Sequence, residues 1–211
     1  MQKIIDNFIK RFPELQSIEG SLKEVVQVII KAFKNNKTLF LCGNGGSAAD
    51  CEHIAGELLK SFVLKREANG DLKKKLKKIS PEGGDIGNKL EEGFKAITLT
   101  SHPSFSTAFA NDVDGSMVFA QQLFALAEKN DVVLGISTSG NAENIKKCFI
   151  LAKAQGIKTI LLTGIGGGLC AEFADYSIKV PESETFLIQE KHVGIYHALC
   201  LAIEDYFYGS K

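Results

Sequence analysis

Two stretches of the chain carry more hydrogen-bond donors than an ordinary turn requires. Gly43-Asn44-Gly45-Gly46-Ser47 follows a short apolar run and precedes a helical pattern. Glycines there supply positive φ and let a ligand approach the backbone, while the helix N-terminus offers unpaired N–H groups and a partial positive charge. Ser47 is placed to cap that helix and to donate its hydroxyl to an oxyanion. Further along, Ser137-Thr138-Ser139-Gly140-Asn141 stands in the same relation to the apolar run before it and the helix after it. Three hydroxyls, a glycine and an amide form a neutral cradle, suited to a phosphate monoester that must be released again. One such loop alone reads as a capped turn. Two at the carboxyl ends of strands mark the crevice in which open α/β sheets bind ligands. Neither loop has the spacing G-x-G-x-x-G or G-x-x-x-x-G-K-[ST], which argues against a dinucleotide site and removes the standard P-loop. Thr163 to Gly168 also follows a strand, has fewer hydroxyls, and reads as structural.

The elements that must position these loops are visible as changes of hydrophobic period. Ile4, Ile5, Phe8 and Ile9, then Leu22, Val25, Val26, Ile29, Ile30 and Phe33, recur at helical spacing. Two N-terminal helices are expected within residues 1–36, separated at Pro13, with Ser21 capping the second. The pattern then becomes short continuous apolar runs at Thr38–Cys42, Ala96–Thr100, Val132–Ile136, Thr159–Thr163 and Tyr176–Val180. Such runs, alternating with helical segments at 47–61, 116–128, 143–155 and 186–208, predict a parallel sheet covered on both faces. Lys65 to Glu92 breaks the rhythm with the run LKKKLKK. Nearby acids offset these lysines and no aromatics are interleaved, so they read as the solvated face of an inserted helix and not as a nucleic-acid patch. A single domain over 1–211 is expected.

Composition narrows the class of partner. The chain has 211 residues, with 25 Lys+Arg against 25 Asp+Glu, a formal net charge of zero and 45% hydrophobic residues. That balance argues against nucleic acid and a polybasic membrane surface, and against a disordered chain. Cys42, Cys51, Cys148, Cys170 and Cys200 are odd in number, scattered and without a C-x-x-C pair, so they read as small buried hydrophobes in a reducing compartment. No signal peptide is visible, and no apolar run approaches the ~18 residues that cross a bilayer, so a cytoplasmic location is expected.

CGNGGSAAD, GISTSGNAENI and IQEKHVGIYH, in that order, resemble the SIS (sugar isomerase) domain family, and within it the phosphoheptose isomerases. The resemblance spans nearly the whole chain and leaves only Lys65–Glu92 as an insertion. It implies a three-layer α/β/α sandwich with a five-stranded parallel sheet of flavodoxin-like type, assembled as a homotetramer. The implied reaction converts sedoheptulose 7-phosphate, or a similar ketose phosphate, to its aldose isomer. It places the phosphate on Ser47, Ser137, Thr138 and Ser139, with Asn44, Gly45, Gly46 and Asn141 in the same loops, and adds Asn111 and Asp112 as substrate contacts. Ala142 stands where many members carry a further serine, and Phe186 where some carry an aspartate.

The same resemblance turns two ordinary features into candidates. His53 and Glu57 lie at i and i+4 on the helix that opens at the first loop; on spacing alone they read as a solvated pair. His197 alone reads as a core histidine. The resemblance makes His53, Glu57, Gln189 and His197 the ligands of one Zn2+ per subunit, with Glu57 as base and His197 as proton shuttle. Gln189 and His197 are separated by about 12 Å of helix rise, and His197 leans toward its helix N-terminus, the direction a shared ion requires. His102 and His192 read as structural. Two other readings compete with this one: a non-catalytic SIS module that binds a sugar phosphate or a protein, and an isomerase of another sugar phosphate.

Overall fold

The computed structural model describes residues 1–209; the last two residues of the expected domain lie outside the described residues. Nine helices and five strands follow one another in this described part. They are α1 (Gln2–Arg11), α2 (Glu19–Lys34), β1 (Leu39–Gly43), α3 (Gly46–Leu59), α4 (Gly70–Ile79), α5 (Gly83–Lys89), β2 (Ala96–Thr98), α6 (Pro103–Phe109), α7 (Val118–Leu126), β3 (Val132–Ser137), α8 (Glu143–Gln155), β4 (Lys158–Thr163), β5 (Tyr176–Lys179) and α9 (Thr185–Tyr208). The strands form one parallel sheet in the order β2-β1-β3-β4-β5. This is the flavodoxin-like order, whose switch point lies between β1 and β3.

Strand alternation sorts the apolar side chains into two cores. Leu39 and Leu41 of β1, Val132, Leu134 and Ile136 of β3, and Ile160 and Leu162 of β4 face the layer built by α1, α2, α3 and α9. Phe40, Cys42, Val133 and Leu161 point the other way, toward α7 and α8. Sheets buried on both faces need continuous apolar strands, which is why these runs carry no polar alternation. All five cysteines are buried and free, as expected for small core hydrophobes.

Several local expectations change. α2 starts at Glu19, so Ser21 lies inside its first turn and its hydroxyl donates back to the Ile18 carbonyl; it is not a cap. Ser47 likewise lies one residue inside α3, whose N-cap is Gly45 at φ 55°, and it caps nothing by its side chain. The 116–128 helix shortens to α7, preceded by a π-helical turn at Ala110–Asp114 and a 3-10 turn at Gly115–Met117. α6 has no buried residue and no apolar period to announce it. The inserted segment holds two short helices in place of one. α4 has no buried residue, which agrees with a solvated lysine face, and the neck closes where the Glu92 amide donates to the Arg66 carbonyl at 2.7 Å.

Candidate active site

β1 and β3 are neighbours, and Gly43 pairs with Ile136, so the two hydroxyl-rich loops leave the sheet side by side at its switch point. A reciprocal amide pair ties the first loop to the first turn of α8, which follows the second: Asn44 and Asn144 each donate to the other, at 3.0 and 2.9 Å. The second loop is braced from within. Ser137 Oγ accepts from the Gly140 amide at 3.1 Å and Ser139 Oγ from the Asn141 amide at 3.2 Å. A hydroxyl that accepts inward keeps its own proton to donate outward, which suits an anion.

The third glycine-rich stretch is the buttress of this loop. Gly140 has φ +68°, and a Cβ there would overlap the Gly167 carbonyl oxygen. The Cys170 amide donates to the Gly140 carbonyl at 2.8 Å, that of Gly164 to the Thr138 carbonyl at 3.0 Å, and that of Leu169 to Asn141 Oδ1 at 3.0 Å. Ser47 and Ser137 are buried, whereas Asn44, Gly45, Gly46, Ser139 and Asn141 are exposed and Thr138 is half-buried. Asn111 and Asp112 are exposed on the π-helical turn and bond to each other at 2.9 Å. Among the described residues no hydrogen bond joins them to either loop.

Beyond the first loop, α3 presents His53 and Glu57 on one face, with Nε2 and Oε1 3.3 Å apart. α9 runs beside α3 and brings His197 to the same place, its Nε2 3.4 Å from that of His53. The proton positions follow from the neighbours. Tyr196 Oη lies 3.3 Å from Asp50 Oδ1 and 3.1 Å from His53 Nδ1. A carboxylate only accepts, so the Tyr196 hydroxyl donates to Asp50 and accepts from His53 Nδ1–H. His53 Nε2 faces Glu57 and His197. Burial raises the Asp50 pKa, with Tyr196 and His53 pulling it back. The His197 pKa is lowered by burial first and by His53 second, against Glu57, so its ring is neutral near pH 7.

Glu57 Oε2 is buried with no hydrogen-bond partner. The Lys60 ammonium at 3.6 Å is beyond hydrogen-bond reach. The oxygen therefore has an ion pair with Lys60 but no hydrogen bond, and a buried carboxylate oxygen without one is costly. Among the described residues no three His, Cys, Asp or Glu side chains close into a ready metal cage; His197, His53 and Glu57 form a chain of contacts. Two of the separations, 3.3 and 3.4 Å, are close to the ~3.3 Å between neighbouring ligand atoms at zinc bonds of ~2.0–2.1 Å. Gln189 is placed differently. Its Nε2 would lie 3.0 Å from a Cβ on Gly46, so it rests against the mouth of the first loop. Among the described residues it makes no hydrogen bond to either histidine. Tyr196, Asp50 and Asn144 escaped the sequence reading, although Asp50 precedes His53 by one helical turn and Tyr196 adjoins His197.

A flavodoxin-like sheet with two hydroxyl-rich loops at its switch point, and a His–Glu–His cluster where α3 meets α9, is the arrangement expected of an SIS-domain protein. Two family models described as SIS domain match residues 5–79 and 106–203. The "Phosphoheptose isomerase" of Helicobacter pylori (strain ATCC 700392 / 26695) is 36% identical over 213 residues, covering 97% of this chain and 98% of the relative. That of a Nitratiruptor species is 42% identical over 180 residues, 85% of this chain and 83% of the relative. The chain therefore belongs to the phosphoheptose isomerase family, a family of enzymes. Solved structures agree. The phosphoheptose isomerase from Neisseria gonorrhoeae is 28% identical, covers 96% of this chain and 97% of that one, and superposes with a TM-score of 0.73. The one from Francisella tularensis is 25% identical, covers 95% and 94%, and has a TM-score of 0.74. No helix among the described residues is long and apolar enough to cross a membrane.

Proposed function

We propose that the chain interconverts sedoheptulose 7-phosphate and D-glycero-D-manno-heptose 7-phosphate through a cis-enediolate. The observation that carries this reading is the convergence of Glu57, His53 and His197 along α3 from the phosphate loops. Ser47 and His53 are separated by about 9 Å of helix rise, room for an extended sugar whose phosphate is held at the N-terminal end. Ser47, Ser137, Thr138 and Ser139 donate to the phosphate, with Asn44 and Asn141 beside them, while Asn111 and Asp112 face the sugar from the π-helical turn.

Isomerisation moves one proton between adjacent carbons and one between the two oxygens. Glu57 Oε2, free of hydrogen bonds, takes the proton from C1 of the ketose and returns it to C2. His197, neutral, passes the O1 proton to O2 as the carbonyl moves to C1. His53 is held by Tyr196 with its Nε2 toward this pair. His53, Glu57, Gln189 and His197 would hold a Zn2+ ion, which would polarise the substrate carbonyl. For Gln189 this requires its amide to turn from Gly46 toward the histidines.

We also infer a homotetramer in a reducing cytoplasm. Exposed apolar side chains, among them Val113, Phe124 and Phe186 at 60–67% exposure, support association. Five free thiols support the compartment. Purified protein incubated with sedoheptulose 7-phosphate, with and without zinc, should form the aldose phosphate. Glu57→Gln and His197→Ala should not. Equal inactivity of wild type and variants over a panel of C5 to C7 sugar phosphates would remove the isomerase reading. Metal analysis and light scattering of the same sample read the ion and the assembly.

A further inference from the structure

The last turn of a helix leaves its carbonyls without intrahelical donors. α3 ends at Leu59 with an extended residue at Lys60 and no glycine cap, and Glu57 lies in that turn. Its carbonyls are taken by a side chain from beyond the helix. Arg66 Nη2 donates to the Glu57 carbonyl at 3.2 Å and Nη1 to that of Leu58 at 3.0 Å. Arg66 is wholly buried, lying against the rings of Phe94 and Tyr208, 4.9 and 5.5 Å from their centroids. Its Nε donates to Glu204 Oε1 at 2.8 Å.

Glu204 sits on α9, about two helical turns beyond His197. It is 1% exposed and also accepts from the amides of Phe62, Val63 and Leu64 at 2.9 to 3.0 Å. Burial alone would raise its pKa. The amides of Leu64, Phe62 and Val63, with Arg66, outweigh that and keep the carboxyl below its ordinary range. One ion pair thus touches the helix that carries His53 and Glu57, the helix that carries Gln189 and His197, and the loop between. Buried ion pairs are seldom better than apolar packing for stability. What this one supplies that packing would not is a directed bond to the backbone of the catalytic turn.

We propose that Arg66 and Glu204 are positioning residues, a strut that sets the last turn of α3 against α9 and so holds Glu57 and His53 opposite His197. The proposal rests on the reading of Glu57 as the base, and neither residue touches the substrate. The test uses full-length Arg66→Lys and Glu204→Gln. The chain has four histidines, so their ring signals can be followed one by one in imidazole NMR spectra. The His53 and His197 signals should shift or broaden in both variants while those of His102 and His192 stay in place. Turnover of sedoheptulose 7-phosphate should fall about 10- to 100-fold with KM within twofold, since misplacement of about 1 Å is enough for such a loss. Folded variants with all four ring signals unchanged would overturn the strut. So would failure of both to fold, or displacement of all four histidines together with KM. A wild type that isomerises no sugar phosphate would refute the isomerase reading, while the ring signals would still decide on the strut.

Discussion

His53 and His197 meet nitrogen to nitrogen, their Nε2 atoms 3.4 Å apart. Two lone pairs cannot hydrogen-bond to each other, so a hydrogen bond here needs a proton on one of the two nitrogens. With Glu57 Oε1 3.3 Å from the same nitrogen, His53 stands between a carboxylate and a second imidazole.

The first prediction concerns the proposed zinc ion. Wild-type protein should take up zinc in a competition titration against a chelator. His197→Ala should weaken binding by about 100-fold and Tyr196→Phe by about 10-fold, because an outer partner that fixes a ligand's tautomer is worth about 10- to 100-fold in affinity. Because the His197 pKa is lowered, its ring stays available until the pH falls below the ordinary histidine range. Equal zinc affinity in wild type and His197→Ala would remove the site.

Glu57→Gln tests the base. The amide keeps the shape and cannot take a carbon-bound proton, so kcat should fall about 10²- to 10⁴-fold. The phosphate loops are untouched and KM should move by no more than a few fold. A variant with undiminished kcat would transfer the role elsewhere.

The loops should separate binding from chemistry. Ser139→Ala removes an exposed donor and should raise KM several-fold at unchanged kcat, read by steady-state kinetics. Gly140→Ala should do far more, because its φ of +68° and the Gly167 carbonyl leave no room for a methyl group. Loss of phosphate affinity and a lower melting temperature are expected together. A Gly140→Ala protein with native affinity would show that the buttress is not needed.

The legible part of the molecule was the part governed by repetition. β1, β3, β4 and β5 and the helices α3, α8 and α9 follow from continuous apolar runs and helical period, and α8 occupies the expected Glu143–Gln155. The loops were legible because glycine and serine are constrained by turn geometry. Caps were not: Ser21 and Ser47 lie inside the first turns of their helices, and Ile18 and Gly45 take the capping positions. Arg66 and Glu204 were hidden for a different reason. They are 138 residues apart, and charged residues in a loop and on a late helix look solvated until tertiary structure buries both. The His53–Glu57 spacing was equally mute. Only the arrival of His197 from α9 distinguishes it from a surface pair.

His192 gives the last prediction, through pH. It lies on α9, wholly buried, with neither ring nitrogen hydrogen-bonded. Burial pushes its pKa down to about 4. In the unfolded chain the same ring titrates near ~6.5. Above that pH both states are neutral and His192 contributes no pH dependence. Between about 6.5 and 4 the unfolded chain binds a proton that the native state refuses, so stability falls as the pH drops. The difference amounts to about 3 kcal/mol once the native pKa is reached, of which ~1–2 kcal/mol appears by about pH 5. Urea unfolding at a series of pH values from 7.5 downward should show this slope in wild type and a flatter one in His192→Leu. Parallel slopes would mean that His192 is protonated in the folded protein, and that α9 opens to let the proton in.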